Sequence, residues 1–183
     1  LSKVDDSCDT SDSFLINITP VNDIPLTVSD TLTVDEAATV SITDSGSPTL
    51  VGNDSDLDGD SLTSIVVTQP SNGTLSINSD GTFSYVHDGS ETTTDTFTYK
   101  SNDGTADGNT VTITIQINPI NDPPEGFEDF VIGLSGGTVT QTTTGSDTLL
   151  ANDSDAEGDS LTVDTTPVVS PSHGTVTLNA DGT

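Results

Sequence analysis

Apolar and polar residues alternate with a period of two along much of the chain, and the cleanest run is Thr110–Ile117. There Val111, Ile113, Ile115 and Ile117 fall on one side and Thr112, Thr114 and Gln116 on the other, as in a strand with one buried face. The same reading predicts six further strands between residues 24 and 122: Leu26–Val34, Thr39–Ile42, Leu62–Thr68, Thr74–Ile77, Thr82–Val86 and Thr96–Ser101. Asn78-Ser79-Asp80-Gly81, between the fourth and fifth, ends in the Asp-Gly of a hairpin turn. No stretch combines a helical period with good helix formers. Seven short strands in about 100 residues, each closed by turn residues, predict an all-β antiparallel sandwich with Greek-key connections.

The pattern then repeats. NDSDLDGDSLT, Asn53 to Thr63, returns as NDSDAEGDSLT, Asn152 to Thr162, and VNDIP at Val21–Pro25 returns as INDPP at Ile120–Pro124. Both pairs are offset by 99 residues, about one small domain (53 to 152 and 22 to 121). Residues 1–23 therefore read as the last strand of a preceding repeat, because Phe14, Ile16 and Ile18 match Ile113, Ile115 and Ile117. Residues 24–122 form one complete repeat. Residues 123–183 read as the N-terminal part of the next, with strands expected at Leu161–Val163 and Thr175–Leu178 and a two-residue insertion in Pro167–Pro171. Half a sandwich leaves open edges and an uncovered apolar face, so this end is expected to be the least stable.

Charge narrows the classes of partner. The 183 residues carry a formal charge of −28, with Lys3 and Lys100 as the only basic side chains. Nucleic acid and anionic bilayers are repelled by such a surface, whereas divalent cations are its natural counter-ions. Cys8 stands alone, so neither an intrachain disulfide nor a cysteine-based zinc site can form. No apolar run reaches membrane-spanning length.

The acidic residues are not scattered. Asp54-x-Asp56-x-Asp58-Gly59, followed by Asp60, places alternate carboxylates on a tight loop, the arrangement that a hard cation such as Ca²⁺ takes. It is not an EF-hand, because the twelfth position from Asp54 is Ile65 where a bidentate Glu is needed. The alternative is a merely solvated acidic turn. The second copy keeps Asp153, Asp155 and Asp159 and has Glu157 in place of Asp58. Strand parity sorts these groups by end. If strands alternate down and up, the loop Asn53–Asp60 and the turn holding Asp103 lie at the top with the entering linker Asn22-Asp23. Glu36, Asp88 and Glu91 lie at the bottom with the exit linker Asn121-Asp122, which faces Asn152–Asp159. Each junction thus gathers carboxylates from two neighbouring units. The Asn-Asp-Pro linkers read equally as stiff connectors, since proline fixes its own φ and restricts its predecessor. His87 and His173 share no register and are read as surface residues.

These motifs carry a family likeness. NDGTADGNTVTITIQINPINDPP, Asn102 to Pro124, resembles the end of a cadherin repeat: an Asp-Gly turn, a long last strand and an Asn-Asp linker closed by proline. The ordered set as a whole is similar to bacterial cadherin-like tandem repeats of very large surface adhesins, and Tyr85–Tyr99 also resembles the cadherin-like chondroitin-sulfate-proteoglycan repeats. The resemblance implies Ca²⁺ ligands at Asn121, Asp122, Asp153, Asp155 and Glu36, and at Asn22, Asp23, Asp54, Asp56 and Asp103 in the upper junction. Two features depart from the cadherin pattern. Pro20 and Pro119 stand where the cadherin linker has an Asp, and Asp88 and Glu91 only approximate its Asp-Arg-Glu motif. One or two ions per junction are therefore expected.

The expected function is structural and non-enzymatic: a calcium-stiffened extender in an extracellular adhesin, with neighbouring repeats of the same chain as its partners. A module binding glycans or proteins through its own surface is the alternative. It would require an exposed aromatic platform, yet Phe83, Tyr85, Phe97 and Tyr99 fall on inward strand positions. A hydrolase ranks third, because paired carboxylates on exposed repeat loops have simpler explanations.

Overall fold

The computed structural model describes residues 17–183. Seven strands form where the alternation places them: β1 (Thr31–Asp35), β2 (Thr39–Val40), β3 (Thr63–Thr68), β4 (Gly73–Ile77), β5 (Phe83–His87), β6 (Thr94–Asn102) and β7 (Val111–Asn118). They make two sheets, one ordered β1-β7-β6-β3 and the other β2-β5-β4. The hairpins β4–β5 and β6–β7 stay within a sheet, and the remaining connections cross between sheets. The result is an all-β sandwich of a four-stranded and a three-stranded sheet.

Period-two burial follows from this layering. Leu32, Val34, Val40, Leu50, Phe83, Tyr85, Phe97, Tyr99, Ile113, Ile115 and Ile117 form one buried apolar cluster between the sheets. Each such side chain contributes on the order of 1.5–3 kcal/mol through removal from water. Gly73 lets β4 pass close to β5, since a Cβ there would lie 2.5 Å from the carbonyl oxygen of Val86 and 2.7 Å from the Tyr85 ring.

Three boundary expectations are corrected. The first strand spans Thr31–Asp35 and not Leu26–Val34, with Leu26 meeting only Ser55 in an isolated bridge. It also pairs parallel to β7, Leu32 opposite Ile115, so the sandwich is not wholly antiparallel. Two strands of the same parity run the same way, and the first and seventh are both odd. Thirdly, Leu161–Val163 and Thr175–Leu178 form no strands. In the complete repeat their counterparts β3 and β4 pair with β6 and β5, and residues 123–183 hold no equivalent of either. The Val163 N–H does reach the Ala180 carbonyl at 3.0 Å, but Ala180 lies beyond the second segment.

Phe14 and Ile16 lie outside the described residues, as does Cys8. Ile18 belongs to no strand and is exposed, so the alternation that matches it to Ile117 does not bury it here.

Candidate cation sites at the repeat junctions

The upper loop follows a 3₁₀ turn, Leu50–Asn53, whose Leu50 plugs the core. Asp54 comes next and points inward. Its carboxylate accepts the Val28 N–H at 2.8 Å and the Tyr99 hydroxyl at 3.1 and 3.2 Å. Burial raises its pKa, and those donors partly offset the rise. Asp54 is therefore committed to the fold and stands apart from the loop's other acids.

Beyond it, Asp56, Asp58 and Asp60 offer oxygens within 4.8 Å of one another. Gly59 turns the chain at φ +79°, which costs glycine little. Asp56 Oδ1 accepts the N–H groups of Asp58 and Asp60, while its Oδ2 is buried with no hydrogen-bond partner. The entering linker docks on this loop. The Asp23 N–H donates to Asp58 Oδ2 at 2.7 Å, and the Asn22 amide donates to Asp103 at 2.9 Å. Asp103 is held low by the Ala106 N–H, the Asn22 amide and the Thr105 N–H.

At the other end, three elements converge. Glu36, in the β1–β2 turn, Glu91, in the β5–β6 loop, and Asp122, in the exit linker, offer oxygens within 4.8 Å of one another. Glu36 is 6% exposed. One oxygen accepts the Ile120 N–H at 3.1 Å, and the other is buried without a partner. Glu157 of the following loop reaches back and accepts the Asp122 N–H at 2.7 Å, as Asp58 does for Asp23 one repeat earlier. Desolvation raises the pKa of Glu91, and the charges of Glu36, Glu157 and Asp122 raise it further. No cationic side chain answers them: Lys100, the one lysine among the described residues, is paired with Asp107.

A buried carboxylate oxygen without a donor, facing further carboxylates, is costly unless a cation joins it. Oxygen-only donors in loops match the preference of Ca²⁺. The residues at both junctions fit such an ion.

Not every predicted residue joins. Asp88 lies outside the Glu36 group, accepting the Ser90 N–H at 3.0 Å with its pKa lowered by Ser90. Asp153 repeats the inward role of Asp54 by accepting the Phe127 N–H at 2.8 Å, and Asp155 accepts the Asp159 N–H at 2.9 Å. The Asn121 amide turns onto the Asp122 carbonyl. His87 is not a surface residue: it is 3% exposed and hydrogen-bonded. The signal was present in the alternation, since Phe83, Tyr85 and His87 continue one inward row.

A β-sandwich with acidic loops at both poles, joined to its neighbour by an Asn-Asp linker, defines a structural repeat domain. The family described as the bacterial cadherin-like domain matches residues 22–119, and the chain belongs to that family. Residues 121–183 match the bacterial Ig domain. Domains of these two kinds are typically non-enzymatic and typically extracellular or surface-exposed. No helix among the described residues is long and apolar enough to cross a membrane. A search of curated proteins returns no match. Among solved structures, the chain is similar to endo-fucoidan hydrolase MfFcnA4 from glycoside hydrolase family 107, at 18% identity and a TM-score of 0.37. A variant of that enzyme gives 18% and 0.33. The alignments cover 63% and 52% of this chain but only 17% and 14% of the enzyme.

Proposed function

We propose that the segment is a calcium-stiffened extender in a surface adhesin, with Ca²⁺ held between successive repeats. The observation that carries this reading is the lower junction. Carboxylates from the β1–β2 turn, the β5–β6 loop and the linker meet within 4.8 Å, with a buried Glu36 oxygen lacking any donor. Glu36, Glu91 and Asp122 would hold the ion there, beside Glu157. Asp56, Asp58 and Asp60 would hold one at the upper loop, beside Asp23 and Asp103. A bound divalent cation supplies the positive charge that these groups lack. Glu36 and Glu91 belong to one repeat, and Asp122 and Glu157 to the linker and the next loop. Relief of their repulsion therefore couples two domains and stiffens the hinge. Affinity falls in the range of extracellular modules, about 10⁻⁴ to 10⁻³ M.

Thermal unfolding with millimolar Ca²⁺, Mg²⁺, matched NaCl or EGTA tests the reading. A rise in melting temperature specific to Ca²⁺, and diminished by Asp122→Asn, supports it. Equal effects of all three salts reduce the junction to a proline-stiffened spacer whose −28 charge is merely screened.

A further inference from the structure

We infer that His87 is the positioning residue of the lower junction. Its buried imidazole ties the turn carrying Glu36 to the loop carrying Glu91, and so sets the spacing of the two carboxylates. This rests on the cation reading above. Among the described residues, the imidazole is the one side chain that hydrogen-bonds to residues next to both acids.

Nδ1 accepts the Ala37 N–H at 3.2 Å and the Gly89 N–H at 3.3 Å. Nε2 lies 3.0 Å from Thr92 Oγ1. An Nδ1 that receives two backbone donors carries no hydrogen, so the hydrogen sits on Nε2 and is donated to Thr92. Ala37 directly follows Glu36, and Thr92 directly follows Glu91.

The backbone shows why such a tie is needed. Ala37 is the one non-glycine among the described residues with positive φ, at 55°. An alanine held there is strained by the approach of its Cβ to the backbone, and its neighbours must hold it in place. The His87 N–H bonds the Ala38 carbonyl at 3.0 Å, so backbone and imidazole clamp the turn together. Glu91 has no such support of its own: it is exposed, and its loop contains no regular ladder. The Ile117 N–H holds the Thr93 carbonyl at 3.0 Å, and the bond from His87 to Thr92 sets the residue before it, beside Glu91.

Site-resolved NMR titration of the 183-residue chain with CaCl₂ tests the inference. Amides of Glu91 and Asp122 report the lower junction, and those of Asp58 and Gly59 report the upper loop as an internal reference. His87→Phe keeps a ring but removes both hydrogen-bonding nitrogens. It should weaken Ca²⁺ at the lower junction about tenfold, the usual cost of removing a support behind a ligand, and leave the upper loop unchanged. His87→Asn restores an acceptor near the Nδ1 position and should recover part of the loss. Thr92→Val is mild enough to keep the fold and should weaken the same site by a smaller factor. A metal-free readout accompanies these: the long-range ¹H–¹⁵N spectrum should show the Nε2–H tautomer.

An Nδ1–H tautomer would overturn the inference. So would His87→Phe and Thr92→Val chains binding Ca²⁺ as the unsubstituted chain does, or an equal loss at both poles, which indicates a loosened fold. If Glu91 and Asp122 do not respond to Ca²⁺ in the unsubstituted chain, the cation reading itself fails and takes this one with it.

Discussion

Two copies of nearly one sequence end up in different states. In the first repeat NDSDLDGDSLT leads into β3, which pairs with β6 from Thr63 opposite Asn102 to Thr68 opposite Thr98. In the second, NDSDAEGDSLT leads into residues with no ladder. Yet the loops before that point agree closely. Leu26 bridges Ser55, and Glu125 bridges Ser154. Asp54 takes the Val28 N–H at 2.8 Å, and Asp153 takes the Phe127 N–H at 2.8 Å. The Leu50 N–H reaches the Gly81 carbonyl at 3.0 Å, and the Leu149 N–H reaches Gly182 at 3.0 Å across the insertion. Loop geometry is thus specified locally by turn residues and short-range hydrogen bonds. Strand formation is not, because a strand without a neighbour has unpaired backbone groups and nothing to pack on.

The strongest way to break this contrast is to supply the missing partner. A chimera that appends Phe83–Asn118 after Thr183 should convert Leu161–Val163 and Thr175–Leu178 into strands. Amide exchange there should slow by about an order of magnitude or more. Unchanged exchange would mean that the second unit's own sequence, and not its lack of partners, keeps it open.

Core truncation comes next. Phe97→Ala should cost about 3–5 kcal/mol in denaturant unfolding, since Phe97 is wholly buried. Leu149→Ala, at a side chain that is only partly buried, should cost well under half as much. Tyrosine fluorescence reads the first repeat alone, because both tyrosines, Tyr85 and Tyr99, lie within it.

Asp95 offers a smaller but sharper probe. This buried carboxylate accepts the N–H groups of Ser71, Asn72 and Thr96 and the Tyr85 hydroxyl. Burial raises its pKa, but those donors outweigh burial and leave it lowered. A depressed folded pKa gives stability that is present above the unfolded pKa and is lost as pH falls through the folded one. Asp95→Ala should therefore cost about 2–3 kcal/mol at neutral pH and less in acid.

Asp30 predicts the opposite slope. Its pKa is pushed up to about 6, first by burial and then by the charge of Asp54, and its Oδ2 has no partner. The folded state binds the proton more tightly, so stability falls as pH rises from about 4 to about 6. Asp30→Asn should flatten that slope and raise stability at pH 7 by about 1 kcal/mol. A pH profile of the melting temperature that is identical with and without the substitution would remove Asp30 from the account.

Much of this could be read directly along the chain. Period two located all seven strands, and the recurrence of the Asn-Asp linker and the Asp-rich loop set the repeat length. Strand parity alone put Glu36, Glu91 and Asp122 at one pole. The same alternation, followed two residues past Tyr85, would have placed His87 inside; its polar type obscured this. Asp54 was harder to read. Nothing in Asp-x-Asp-x-Asp distinguishes the first carboxylate, and only the position of Tyr99, on a strand far along the chain, turns it into a structural group.

The sequence by itself determined the local grammar of this protein: alternation, turn residues, the repeat and the charge. These depend on interactions between residues a few positions apart. The tertiary structure alone decided which carboxylates meet, which one is consumed by the core, and where ladders form. Those outcomes depend on partners brought together from distant parts of the chain, as Glu36 meets Asp122 and Tyr99 meets Asp54.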